Sequence, residues 1–81
     1  MQRRTMILRN EKRISFYRTG DPGEMYANNT IPVGSIMLLL SVDIVGHRGD
    51  NPVTQYTLLV DNHSIVHTTD QYTMKFFCTR L

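Results

Sequence analysis

Three histidines, one cysteine and seven acids are the side chains with which this chain could do acid–base, nucleophilic or metal chemistry. His63 and His67 stand four apart, which would set them on one face of a helix. Asp61-Asn62 precedes them and Ile65-Val66 divides them, so the local pattern is a turn running into a strand. A metal centre there would need a third ligand, such as Asp61, Asp70 or His47, brought in by the fold. Ordinary turn and sheet histidines account for the pattern, and no metal is expected. Cys78 paired with a histidine would be the elements of a nucleophile and its base. The cysteine lies beside Phe76-Phe77, where a thiol behaves as a small buried hydrophobe. Asp21, Asp50 and Asp61 fall in turn sequences, where Asp bonds to nearby backbone. Asp70 suits the start of a helical turn. Asp43 alone interrupts a strong strand, as if marking where that strand leaves the core. No phosphate-loop, dinucleotide, HExxH or GxSxG pattern occurs. The expectation is a chain that is not an enzyme and uses no cofactor.

The arginines carry the stronger signal. Residues 1–18 hold Arg3, Arg4, Arg9, Lys12, Arg13 and Arg18 against Glu11, a net +5. Residues 19–81 hold three cations against six acids, a net −3. Such asymmetry is expected when one end of a chain meets an anion. It is equally compatible with a soluble basic hairpin that balances an acidic body. Arginines beside a tyrosine can hold phosphates and stack a base. The candidate ligand-binding set is therefore Arg4, Arg9, Arg13, Tyr17 and Arg18. His47 and Arg48 join them from a glycine-rich loop. The expected partner is a phosphate-bearing ligand, RNA or a small nucleotide. An acidic protein surface is the alternative, since arginine and tyrosine also anchor protein interfaces.

Short segments must position these groups. Thr5 to Leu8 and Ile14 to Tyr17 are rich in β-branched and aromatic residues, and the polar residues 9–13 between them suit a hairpin loop. Thr19 to Gly23 is a strong turn around Pro22. Residues 24–34 read as an irregular connection, anchored by Met25 and Tyr26. Ser35 to Val45 is the clearest strand. Ile36, Leu38, Leu40, Val42 and Ile44 share one face, with Met37 and Leu39 on the other. A strand apolar on both faces is covered on both faces, and in so small a domain a second subunit is a natural cover. Gly46 to Pro52 reads as a polar loop, Val53 to Val60 as a strand with Tyr56, Leu58 and Val60 inward, and Asp61 to Ser64 as a tight turn. Ile65 to Thr68 is a further strand. Thr69 to Tyr72 suits one turn of helix. Residues 73–81 read as a closing strand with Met74, Phe76 and Cys78 on one face, a short helix being the alternative.

Five or six short strands with frequent turn signals imply a mainly β domain, a small barrel or sandwich. The strand after Ile31-Pro32-Val33-Gly34, the long hairpin, the short polar turn and a last strand with Phe76-Phe77 resemble the order of features in SH3-like barrels. That resemblance implies a fold type only. It divides the single 81-residue domain into a basic hairpin or arm, 1–18, and a barrel core, 31–81. One cysteine excludes an intrachain disulfide and suits a reducing compartment. The longest apolar run is far shorter than a membrane span. A cytoplasmic, homo-oligomeric binding protein with no membrane association is therefore expected. In size and composition the chain resembles accessory proteins of bacteriophages, including anti-defence proteins. That likeness implies an inhibitor or adaptor that blocks a host effector.

Overall fold

The computed structural model describes residues 6–18, 29–62 and 64–81. Among these residues, seven strands and one short helix follow in the order β1 (Met6–Asn10), β2 (Ile14–Ser15), β3 (Thr30–Ile31), β4 (Ile36–Arg48), β5 (Asn51–Val60), β6 (Ser64–Thr68), α1 (Gln71–Phe76) and β7 (Cys78–Arg80). Five strands form one antiparallel sheet in the order β6-β5-β4-β1-β7, and β2 pairs with β3 in a second, two-stranded sheet. The mainly β expectation therefore holds. The large sheet is open rather than closed into a barrel, with β6 and β7 at its edges. Ile14 of β2 and Ile31 of β3 are buried in the same core as Leu8, Met37, Leu39, Leu58 and Val66 of the large sheet.

Period-two alternation explains which face is buried. Tyr56, Leu58 and Val60 of β5 point into the core, as their spacing predicts. On β4 the buried pair is Met37 and Leu39, while Ile36, Val42 and Ile44 are exposed. Ile36 and Leu38 face outward. The register shifts between Leu39 and Ser41, so Val42, opposite Tyr56, and Ile44, opposite Thr54, lie on the core-side face and are exposed where the hairpin runs beyond the core.

The N-terminal hairpin expected from the sequence does not form. β1 is inserted between β4 and β7, pairing Ile7 with Leu38 and Leu8 with both Met37 and Arg80. β2 pairs instead with β3, Ile14 opposite Ile31. Asn10 is the physical reason. Although placed by sequence in a hairpin loop, it is 1% exposed. Its Nδ2 donates to the carbonyls of Lys12 (2.8 Å), Pro32 (2.9 Å) and Ile31 (3.3 Å). Its Oδ1 accepts from the Ser35 amide at 2.9 Å. One side chain thus ties the end of β1 to the segment between β3 and β4. Leu8 and Ile14 consequently belong to the main core, which is not confined to residues 31–81.

Two other segments depart from expectation. β4 continues through Gly46 and His47 to Arg48, and the turn is only Gly49-Asp50. Gly49 takes φ +62°, which suits the first central position of a type II′ hairpin turn. The polar stretch 46–52 is therefore mostly strand, in a hairpin whose distal half runs beyond its neighbours. The C-terminal segment holds a helix before its strand. Asp70 caps α1, its Oδ1 accepting from the Thr73 amide at 3.1 Å, and burial of Thr73 and Met74 fixes the inward side. The helix breaks the alternation of Met74, Phe76 and Cys78, and only Cys78–Arg80 pairs as a strand, with β1. The turn at 19–23 and the anchors Met25 and Tyr26 lie outside the described residues.

Candidate anion-binding site

The expected basic surface is dispersed. Arg4 lies outside the described residues. Arg9 is exposed on β1 opposite Ile36, at the start of β4, whereas His47 and Arg48 stand at that strand's other end. Arg13 is exposed just before β2. Arg18 lies 5.3 Å from the centre of the Phe16 ring, and both residues line a hollow of about 150 Å³.

Tyr17 is a correction of kind. Expected as a stacking platform, it is 1% exposed and cannot receive a base. Its backbone exchanges two 2.8 Å hydrogen bonds with His67, closing part of the β6 edge. Its ring lies 5.6 Å from the His67 ring, and its hydroxyl donates to Gln55 Oε1. His67 Nδ1 in turn shares a 3.0 Å hydrogen bond with Thr57. Tyr17 and His67 are structural partners.

A different concavity gathers cations. A cleft of about 500 Å³ lies between the distal part of the hairpin and α1. Arg48, Asn51, Pro52, Val53 and Thr54 line one side, and Thr69, Gln71 and Lys75 the other. Its volume falls within the usual range for small-molecule sites. Two cations and two hydroxyls face it, and no carboxylate is among its lining residues. Two acids adjoin lining residues in sequence: Asp70, engaged in capping α1, and Asp50, exposed in the hairpin turn.

The helix explains how one turn of chain serves two surfaces. Gln71 and Lys75 are four apart and face the cleft. One position further on, Tyr72 and Phe76 are also four apart, and they are 59% and 67% exposed. The Tyr72 ring centroid lies 5.3 Å from those of both Phe76 and Phe77, and Lys12 Nζ sits 4.0 Å over Phe77. An exposed aromatic cluster thus borders the cationic cleft. Of the described residues singled out by sequence, only Arg48 lines this cleft. Lys75, Gln71, Thr69 and Thr54 were missed, because no spacing rule joins a hairpin strand to a helix some twenty residues later.

Cys78 is half-buried, and its thiol pKa is pushed up by desolvation first, then by the charges of Glu11 and Asp70. A raised pKa is the reverse of what an activated nucleophile requires. Among the described residues, no three His, Cys, Asp or Glu side chains converge as metal ligands. Among the described residues, no helix is long and apolar enough to cross a membrane. No protein-family model matches the chain, and no curated protein or solved structure is significantly similar to it.

Proposed function

We propose that this protein is a non-enzymatic, cytoplasmic binding protein for a phosphate-bearing ligand, RNA or a small nucleotide. The observation that carries the proposal is the cleft where Arg48 and Lys75 converge without a lining carboxylate, bordered by the exposed Tyr72–Phe76 pair. Guanidinium and ammonium groups bind phosphate oxygens by charge-assisted hydrogen bonds. Thr54, Thr69, Gln71 and Asn51 offer neutral partners to a sugar or base edge. Any base presents a π-face, so Tyr72 and Phe76 can stack a nucleotide without selecting its sequence.

Fluorescence anisotropy with labelled mononucleotides and short single-stranded RNA tests this reading. Neutralising about two phosphates predicts a log–log salt slope near 1.5 to 2. Arg48→Ala with Lys75→Ala should remove most of the binding and flatten that slope. Tyr72→Ala with Phe76→Ala should weaken nucleotides but not inorganic phosphate, by about 1–3 kcal/mol per stacked base. Binding indifferent to salt and to the cation pair refutes the proposal.

A second reading is favoured by the hairpin itself. Among the described residues its distal part, residues 41–55, is paired only within the hairpin, and it exposes Val42, Ile44 and Val45. Free strand edges accept an added strand from another protein. On that reading the protein is an inhibitor or adaptor, an anti-defence accessory protein of a phage among the candidates. A partner captured after nuclease treatment and lost on Ile44→Lys would support it.

A further inference from the structure

We infer that the outer face of the five-stranded sheet is a self-association surface, on which a second copy of this chain packs face to face about a two-fold axis parallel to β4. The registers align one apolar row across four strands, β6, β5, β4 and β1. Ile65 stands opposite Leu59, Leu59 opposite Leu38, and Leu38 opposite Ile7. The Leu81 amide donates to the Ile7 carbonyl at 2.9 Å, which adds a fifth position to the row, just after β7. Leu8, Met37, Leu39, Leu58 and Val66, adjacent along the strands, all point into the core, so the row lies on the opposite face. Ile65, Ile7 and Leu81 are about half exposed. A shallow hollow of about 240 Å³ lies between Ile7, Ile36, Leu38, Leu59 and Asp61.

Charge at the rim identifies the occupant. In the row next to the apolar one, Ile36 of β4 is flanked on one side by Arg9 of β1. On its other side is Asp61, whose amide donates to the Ile36 carbonyl at 3.2 Å. The acid and the base thus stand one strand away from β4 on opposite sides, and both are exposed. Rotation about an axis along β4 exchanges those sides. It places Arg9 of each copy over Asp61 of the other, Ile7 over Leu59, Leu81 over Ile65, and Ile36 and Leu38 over themselves. A surface complementary to its own two-fold image is what an isologous dimer requires. Sheets packed this way keep their strands within about 30°.

The patch is small. Five positions ~4.8 Å apart and two rows give a footprint of roughly 300–400 Å² per protomer, by strand spacing alone. That is below the ~800 Å² per partner of a standard interface, so dissociation constants of order 10–100 µM are expected. Sedimentation velocity on the full chain over roughly 5–200 µM spans that range. The wild type should pass from monomer to dimer. Ile36→Glu, which sets two carboxylates on the axis, should be monomeric throughout. Arg9→Glu should raise the dissociation constant about 10-fold. Adding Asp61→Asn, a residue that tolerates the positive φ of 52° there, should recover much of that loss. Circular dichroism and urea midpoints confirm that each variant is folded. Should Ile36→Glu lower the midpoint, Ile65→Glu on the edge strand interrogates the same face. A wild type monomeric at the highest concentration overturns the inference and leaves the face to another occupant. So does a dimer indifferent to Ile36→Glu or to Arg9→Glu.

Discussion

Asn10→Asp is the substitution that interrogates this fold most sharply, because it changes one side-chain nitrogen to oxygen at constant shape. The Ser35 amide keeps its acceptor, but the three carbonyls of Lys12, Ile31 and Pro32 lose their donor. The amide has two hydrogens for three acceptors, so about two net hydrogen bonds disappear, at ~1 kcal/mol each. An oxygen now faces carbonyl oxygens at a position 1% exposed, which adds ~1–2 kcal/mol of unrelieved desolvation. The total, about 3–4 kcal/mol, is a large share of the ~4–12 kcal/mol expected for a chain of this length. Urea unfolding of both proteins at one concentration measures it. With m near 1 kcal/mol/M, the midpoint should fall by ~3 M at pH 7. The loss should also depend on pH. Desolvation and the facing carbonyls raise the new carboxyl's folded pKa above its unfolded value of about 3.9. The folded state then holds the proton more tightly, so stability falls as pH rises through the window between those two values. Near pH 4 the protonated group can again donate to one carbonyl, and part of the loss should be restored. A loss under ~0.5 kcal/mol, or one that ignores pH, would refute the role given to Asn10.

Removing the helix cap with Asp70→Ala leaves the Thr73 amide without its acceptor and should cost about 1 kcal/mol in urea unfolding. Gly49→Ala should cost a similar ~1 kcal/mol through backbone strain alone, because φ is +62° and an added Cβ would meet nothing within 4 Å. Gly49→Asn should cost less, since Asn tolerates that region. Iodoacetamide should alkylate Cys78 more slowly than free cysteine at pH 8, because burial, Glu11 and Asp70 all raise its pKa. Glu11→Gln should accelerate the reaction but leave it below the rate of free cysteine, burial being the larger cause.

The parts of this fold that were legible in the sequence were those governed by local alternation. Tyr56, Leu58 and Val60 read inward and are buried, and β4 read correctly as a strand, although only Met37 and Leu39 are buried and Ile36, on the face for which a second cover was expected, is exposed. Strand partners were not legible. Proximity in sequence suggested that β1 and β2 form a hairpin, but the hydrogen-bonding capacity of one buried amide sends them to different sheets. Tyr17 looked like a surface aromatic because arginines flank it, yet its neighbours in space are His67 and Gln55. Lys75 was assigned to a closing strand because Met74, Phe76 and Cys78 alternate along residues 73–81, with a short helix as the alternative. A cap from Asp70 and an inward Thr73 and Met74 are enough to make that stretch helical, which turns Lys75 toward Arg48's cleft. The cationic composition was visible from the start, but its point of convergence depends on contacts distant along the chain.

The seat of β1 between β4 and β7 has a kinetic consequence. β4, β5 and β6 are joined by tight turns and can zip as a meander with little loop closure. β1 and β7 must then be recruited from the two ends of the described chain, Leu8 meeting Arg80 only after the intervening residues have collapsed. Late, nonlocal docking of this kind sets folding on the millisecond-to-second scale typical of high-contact-order β proteins. In pulse-labelling hydrogen exchange, amides of β5 should become protected first and those of β7 last.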